Sequence, residues 1–390
     1  MASNDYWRIL EKLEIVTIVC VASRPGSDLI QSLFDSHPEI ISIDGDLDFY
    51  DFYMNAYSIW GTNCRLNHRK KIQKIDYNDL LNEFVYKNID KFKSEYDNLD
   101  SKNTANTEIS KFIKYGETLL NRAEFNAKNL FLAIYGAYCL ARGNDLKTKT
   151  HLIHHAHAIE KLHFLEKEFD SYKVIAANRD PRSSYLSMLV ALNKLDGFEI
   201  NHAMHNIILK RVFHGRSLLK NSSKQKIKVS CLEELHANPK QYLESICDWL
   251  NINLDDCLFQ STWNGNPWYG DSLSDDIKTT FNTNFHSANI IKWKKKLNIV
   301  DKILISALNR DEIKAYKYDL SFTNPILLYL TFLLILIPNK IEFKILKKII
   351  YNFEVINYCR WQFYLFARYY FMYKKLFTII FKTNKILKKV

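Results

Sequence analysis

The first strong pattern along the chain is a continuous β-rich apolar run over residues 15–22, as expected for a parallel strand covered on both faces. Residues 28–36 then read as a helix that stops before His37-Pro38. The succession recurs downstream. An amphipathic helix over 158–169 leads into a strand over 172–177, a short strand follows at 227–231, and Asn238-Pro239 opens a helix over 240–250. Residues 131–140 are apolar and fit either helix or strand, whereas 61–130 are polar, rich in Lys, Asn and Asp, and read as helices and loops laid over the core on the acceptor side. Strand–helix alternation of this kind predicts an α/β fold with a central parallel sheet flanked by helices. The sequence has no internal repeat.

The character changes from Asn324. Residues 325–337 are almost wholly apolar but are closed by Pro338, about a dozen residues where a bilayer-spanning helix needs about 20. Aromatic residues then alternate with cations through Trp361, Phe363, Tyr364, Phe366, Arg368, Tyr369, Tyr370, Phe371, Tyr373, Lys374 and Lys375. Apolar mass with snorkelling cations describes a helix lying in the headgroup layer of an anionic membrane, with residues 324–390 as the docking segment. The competing arrangement is a C-terminal helical pair packed on the body, or a homodimer interface.

Composition narrows the class. The 390 residues are 47% hydrophobic and 25% charged, enough for one large α/β core and incompatible with global disorder. No basic region followed by an apolar segment and a cleavage site precedes the first strand, so a cleaved secretion signal is not expected. Seven cysteines, odd in number and never in a Cys-x-x-Cys pair, fit reduced thiols in a cytoplasmic protein, with no metal site and no disulfide scaffold. The net charge of +11 is concentrated: residues 340–390 hold twelve Lys or Arg and two acids, while the rest of the chain carries 42 basic and 41 acidic side chains. A neutral body with a cationic end argues against a nucleic-acid-gripping surface and for a peripheral membrane partner.

Two turns carry the chemistry. Arg24-Pro25-Gly26-Ser27 lies between the first strand and its helix, where backbone N–H groups and the positive helix end favour an anion, and Arg24 adds a cation. The apolar run Val174 to Ala177 likewise passes through Asn178-Arg179-Asp180-Pro181-Arg182 into a helix.

Together these segments resemble the sulfotransferases that use 3′-phosphoadenosine 5′-phosphosulfate, in their bacterial and tyrosylprotein- or glycan-directed branch, over residues 14 to about 315. The resemblance implies a P-loop nucleotide-kinase-like three-layer architecture for a sulfotransferase domain over 1–320, followed by a helical basic, aromatic extension over 321–390. It implies that Arg24, Pro25, Gly26, Ser27, Asp28 and Leu29 hold the 5′-phosphosulfate, that Arg179 and Ser187 hold the 3′-phosphate, and that Gly265 and Trp268, in Asn264-Gly265-Asn266-Pro267-Trp268, belong to a loop closing over the nucleotide. Arg24 would also neutralise the bridging oxygen as the sulfuryl group leaves, without a metal. The family usually has Ser or Thr where this chain has Asp28, so Asp28 either turns aside as a helix-capping acceptor or weakens donor binding. Candidate general bases are Asp46, then Asp44, by likeness to the tyrosylprotein branch, and His151, in Lys149-Thr150-His151, by likeness to small-molecule sulfotransferases. The histidines at 151, 154, 155 and 157 fit no common metal spacing and read as an ordinary, partly exposed cluster. The expected activity is sulfuryl transfer to a hydroxyl of a glycan or glycolipid. A small-molecule or protein-tyrosine acceptor, or an impaired membrane-associated nucleotide-binding protein, stands as the alternative.

Overall fold

A computed structural model of the chain describes residues 3–21, 24–43, 45, 47, 49–52, 77–92, 107–121, 123–194, 225–268, 270, 291–352 and 355–381. Five parallel strands, β1 (Glu14–Cys20), β2 (Ile40–Ser42), β3 (His151–His157), β4 (Tyr172–Asn178) and β5 (Gln225–Cys231), form one sheet in the order β2-β3-β1-β4-β5. A separate two-stranded hairpin pairs β6 (Thr262–Trp263) with β7 (Asn266–Pro267).

The apolar run of β1 alternates between two cores, as a strand covered on both faces must. Ile15 and Val19 join Val174 and Ala176 of β4 in a core shared with Leu81, Phe84, Phe112, Phe131 and Ile134. Those residues come from the helices Tyr77–Lys87, Ile109–Leu120 and Ala127–Ala141, so the described part of the polar 61–130 stretch is helical, as its pattern predicts. Val16 and Ile18, with Ile175 and Ala177, face the opposite core, filled by Ile30, Leu33 and Phe34 of the helix Ser27–Phe34 and by Leu243 and Ile246 of the helix Pro239–Leu250. The result is the expected α/β sandwich of helices, sheet and helices. The ambiguous 131–140 run is helix, because its apolar residues continue around the whole circumference of Ala127–Ala141.

β1 sends its chain toward β2 on one side, whereas β4 sends its chain toward β5 on the other. The switch point therefore falls between the carboxyl ends of β1 and β4, where such sheets open a crevice for ligands.

The C-terminal residues form three helices, Pro325–Leu334, Lys340–Tyr351 and Val355–Phe381. They share a third core with Tyr185, Met188 and Leu192 of the helix Pro181–Lys194 and with Trp293, Leu304 and Leu308. Arg368 is buried on Glu342 at 2.8 Å, Tyr364 donates to the same carboxylate at 2.5 Å, and Arg368 also donates to the carbonyls of Ile335 and Ile337. A boundary at residue 321 thus cuts through one core, and the described part of 321–390 is a packed helical subdomain.

Candidate active site

The loop after β1 leaves the strand through Arg24 at φ 52° and Gly26 at φ 86°, and Gly26 caps the helix Ser27–Phe34. Glycine is required there twice over: the φ lies in the left-handed region, and an added Cβ would stand 2.8 Å from Cδ1 of the buried Leu232. The first helical bond runs from Ile30 N–H to Gly26 O, so the first-turn N–H groups of Ser27 to Leu29 emerge at the switch point. Pro25 and Ser27 are buried, and Leu29 is half-buried against the core below.

The second turn arrives at the same place. Arg179 follows β4, and its guanidinium Nη1 donates to Arg24 O at 3.4 Å. Ser187, two turns into the helix Pro181–Lys194, accepts from Arg24 Nε at 3.4 Å. Burial presses the Arg179 pKa down, opposed by Glu233 and reinforced by Arg24, so two like charges lie close together in partly desolvated surroundings. Glu233 is held from the other side: its Oε1 accepts from Asp180 N–H at 2.9 Å, and burial raises its carboxyl while Arg179 lowers it. The neighbouring His236 is pushed down to about 4 by burial and by Arg179. Such an arrangement of N–H groups and guanidiniums, neutral imidazole and partly offset carboxylate favours an anionic ligand.

Arg182, close to Arg179 in sequence, has a different job. It lies buried on Asp180 at 2.7 Å, donates to the carbonyls of Ser321 and Asp319, and stacks 3.9 Å above Trp293. It therefore ties the turn after β4 to Trp293 and to the segment that leads into the C-terminal helices.

On the other side of β1, β3 shows what the sequence left obscure. Its residues His151, His154 and His155 are buried, which corrects the expectation of an ordinary, partly exposed cluster. His151 opens the strand, paired in register with Glu14, and its Nε2 contacts Glu14 Oε2 at 3.0 Å and Leu250 O at 2.9 Å. Seven residues of strand, about 20 Å at about 3.3 Å each, separate that end from the loop, so the structure does not bring His151 to Arg24. His157 closes β3 instead. A bulge around Ala156 shifts the register there, His157 adopts φ 58°, and its Nδ1 lies 3.7 Å from Cys20 Sγ, which in turn lies 3.1 Å from Ser27 Oγ.

The N-cap of the helix is Gly26, which places Asp28 two residues along, in the first turn. Asp28 Oδ1 lies 3.4 Å from His155 Nδ1, turned toward β3. Gln31, which sequence reasoning missed, links this cluster to β2. It donates to Ile43 O at 2.8 Å and to Ser42 Oγ at 3.3 Å, while its Oε1 accepts from Gly45 N–H at 3.1 Å and lies 3.1 Å from His155 Nδ1. A fully buried glutamine on the row of Ser27 and Phe34, which otherwise faces the sheet, was the available signal. Asp44 and Asp46 flank the placed Gly45 but lie outside the described residues. Among the described residues, Cys20, His155 and His157 each bring one donor atom within 4.8 Å of the others, a set able to face a divalent ion.

Gly265 and Trp268 are placed elsewhere. Asn264 and Gly265, both at positive φ, make the turn between β6 and β7, and Gly265 N–H donates to Asp35 Oδ2 at 2.6 Å. Asp35 lies at the far end of the helix from Gly26, about 13 Å away at about 1.5 Å per residue. The turn is clamped there by Arg142, through Asn264 O at 2.6 Å, and Trp268 is buried beside Trp263. The hairpin therefore braces the helix end and Gly45, under whose Cα Trp263 packs, with Gly265 at the opposite end of the helix from Gly26.

Residues 17–256, well over half the chain, match the sulfotransferase family. The chain belongs to the sulfotransferase family. Both anion turns of this sulfotransferase, Arg24 to Ser27 and Arg179 to Ser187, fall within the matched segment, which marks it as a sulfuryl-transferring enzyme by family. No curated protein matches the chain. Among solved structures, a sulfotransferase domain from the curacin biosynthetic pathway is similar over 79% of this chain and 99% of its own, at 17% identity and a TM-score of 0.38. No helix among the described residues is long and apolar enough to cross a membrane.

Proposed function

We propose that this sulfotransferase moves a sulfuryl group from 3′-phosphoadenosine 5′-phosphosulfate to a hydroxyl of a glycan or glycolipid. The observation that carries the reading is the convergence of Arg24, Arg179 and Ser187 at the switch point, since a nucleotide phosphorylated at both 3′ and 5′ positions needs two neighbouring anion sites. In this reading the acceptor oxygen attacks sulfur in line and the sulfur–oxygen bond to the 5′-phosphate breaks. The proton passes to a base, while the first-turn N–H groups and Arg24 take the charge growing on the leaving phosphate. His157 is the base that the strand ends favour, standing near Cys20 and Ser27 at the carboxyl edge, with Asp46 and Asp44 as its competitors on the β2 side. The cationic, aromatic C-terminal helices support a lipid-linked or surface glycan as acceptor.

The test is incubation with sulfur-labelled donor and separated glycolipid, polysaccharide, protein and small-phenol pools, alongside calorimetry with 3′-phosphoadenosine 5′-phosphate. Label in the glycolipid or polysaccharide pool, lost in Arg24→Ala and reduced at least about a hundredfold in His157→Ala, is expected. Label confined to protein or phenols refutes the acceptor class, and nucleotide binding without label in any pool refutes the enzymatic reading.

A further inference from the structure

Among the described residues, the C-terminal helices bury one apolar side in the core and leave a second apolar side exposed. In Pro325–Leu334 the buried Leu328 and Thr331 face the core, while Ile326, Tyr329, Leu330 and Leu333 form an exposed row at helical spacing, with Ile326 74% and Leu333 66% exposed. In Val355–Phe381 the buried Trp361, Tyr364, Arg368, Met372 and Leu376 hold the inside, while Ile356, Phe363, Phe366, Tyr370 and Phe377 run along the outside, with Phe363 66% and Phe366 70% exposed. The two helices meet beside these rows, where the partly buried Phe332 packs edge-on to Phe377 at 5.7 Å and Tyr373 donates to Phe332 O at 2.9 Å. A soluble surface seldom exposes so many large apolar side chains to water.

Charge decides what covers them. Lys340, Lys344, Lys347 and Lys348 are exposed on the intervening helix Lys340–Tyr351, and Arg360 and Lys374 are exposed on Val355–Phe381. Among the described residues of 340–381 the only acid is Glu342, and it is buried under Arg368 and Tyr364. A second copy of this chain would set lysines against lysines around the apolar contact, whereas an anionic headgroup layer complements both the rows and their cations.

We propose that the exposed rows of Pro325–Leu334 and Val355–Phe381, with the flanking lysines, form an in-plane docking face for an anionic lipid bilayer. The rows lie flat on the membrane as a helical pair without crossing it, burying side chains to the depth of the headgroup–acyl boundary. Arg368 holds the helices together from inside, paired with Glu342 of Lys340–Tyr351 and donating to the carbonyls of Ile335 and Ile337 just after Pro325–Leu334, while the outer aromatics face lipid. This docking stands independently of the sulfuryl-transfer reading, because it is read by binding and not by turnover.

The experiment is flotation of the full chain with phosphatidylcholine vesicles, with and without about one third phosphatidylserine. Deleting the segment would uncover Tyr185, Met188 and Leu192, so exposed positions are changed instead: F363E/F366E and K344E/K348E, each checked by thermal melt and by its mass in solution. The expected result is binding to the anionic vesicles only, weakened about a hundredfold by F363E/F366E and by a similar factor by K344E/K348E, with unchanged melting. Binding that ignores phosphatidylserine, or equal flotation of wild type and both variants, overturns the proposal. So does a solution dimer that F363E/F366E dissociates and that never floats, which assigns the rows to a second copy.

Discussion

Gly26→Ala isolates the geometry on which the anion site depends. At φ 86° the new residue enters the left-handed region, which costs an L-residue about 1–2 kcal/mol. Its Cβ would also meet Leu232 Cδ1 at 2.8 Å and Cδ2 at 3.0 Å. Leu232 is packed in the core beneath the helix Ser27–Phe34 and cannot simply swing away, so overpacking adds about 1–3 kcal/mol. The sum, about 3 kcal/mol, is to be measured by urea unfolding against wild type. Displacement of the first-turn N–H groups should also weaken binding of 3′-phosphoadenosine 5′-phosphate about tenfold or more, read by calorimetry. The double variant Gly26→Ala/Leu232→Ala separates strain from clash. Leu232→Ala alone costs about 2–5 kcal/mol as a cavity, but in combination it frees room for the new Cβ, so the pair should be more stable than the sum by about 1–3 kcal/mol. An additive double variant, or a single variant within about 0.5 kcal/mol of wild type, would refute the packing account.

Three further outcomes follow from the same contacts. Gln31→Leu leaves Gly45 N–H and Ile43 O without their partner, so a loss of about 3 kcal/mol and a fall in kcat are expected from denaturation and steady-state kinetics; unchanged kcat would separate Gln31 from the reaction. Asp28→Ser should raise donor affinity by no more than about threefold, because the carboxylate faces His155; a gain above about thirtyfold, worth about 2 kcal/mol, would place its charge against the anion instead. Burial, with help from His155 and Lys161, presses His154 down to about 3, below the usual 6.5, so the unfolded chain binds a proton that the folded chain refuses between those values. Stability is then fully present above pH 6.5 and is lost as pH falls, by about 2 kcal/mol at pH 5, and His154→Gln should flatten the stability–pH slope by about one proton over that window.

The strands β1, β4 and β5 were legible because their apolar runs had no competing reading, and the turns after β1 and β4 were legible because each closed such a run. β3 was not, because a strand whose inward positions are His151, His154 and His155 looks polar to any hydrophobic pattern. The imidazoles are accommodated by specific partners that lie far away in sequence: His154 on the Tyr135 hydroxyl at 2.8 Å, and His155 on Gln31 and Asp28. One of the three candidate bases, His151, lies at the opposite end of the strand from the loop. Lys149-Thr150-His151 resembles a known motif, but the chain enters the sheet there, and only the register with Glu14 tells which end of β3 faces the loop. Gly265 was misread similarly, since a glycine turn near a tryptophan pair gives no hint that Arg142 and Asp35 hold it at the far end of the helix.

The cationic C-terminal segment was legible as amphipathic, but its two candidate fates, membrane contact and packing on the body, are not exclusive once the helices are seen. The helix Pro181–Lys194 carries Ser187 toward Arg24 and presents Tyr185, Met188 and Leu192 to the C-terminal core. Arg182, at its first turn, is fixed by Asp180 on one side and by Asp319 O, Ser321 O and Trp293 on the other. Removing one partner of so buried a pair typically costs about 3–5 kcal/mol, so the anion site and the docking helices are parts of one cooperative unit. Loss of activity in a chain cut near residue 324 would therefore report collapse of the Ser187 helix before it reported anything about membranes. Substitution of the exposed phenylalanines leaves that shared helix untouched, and it is there that binding to lipid and binding of the donor can be read apart.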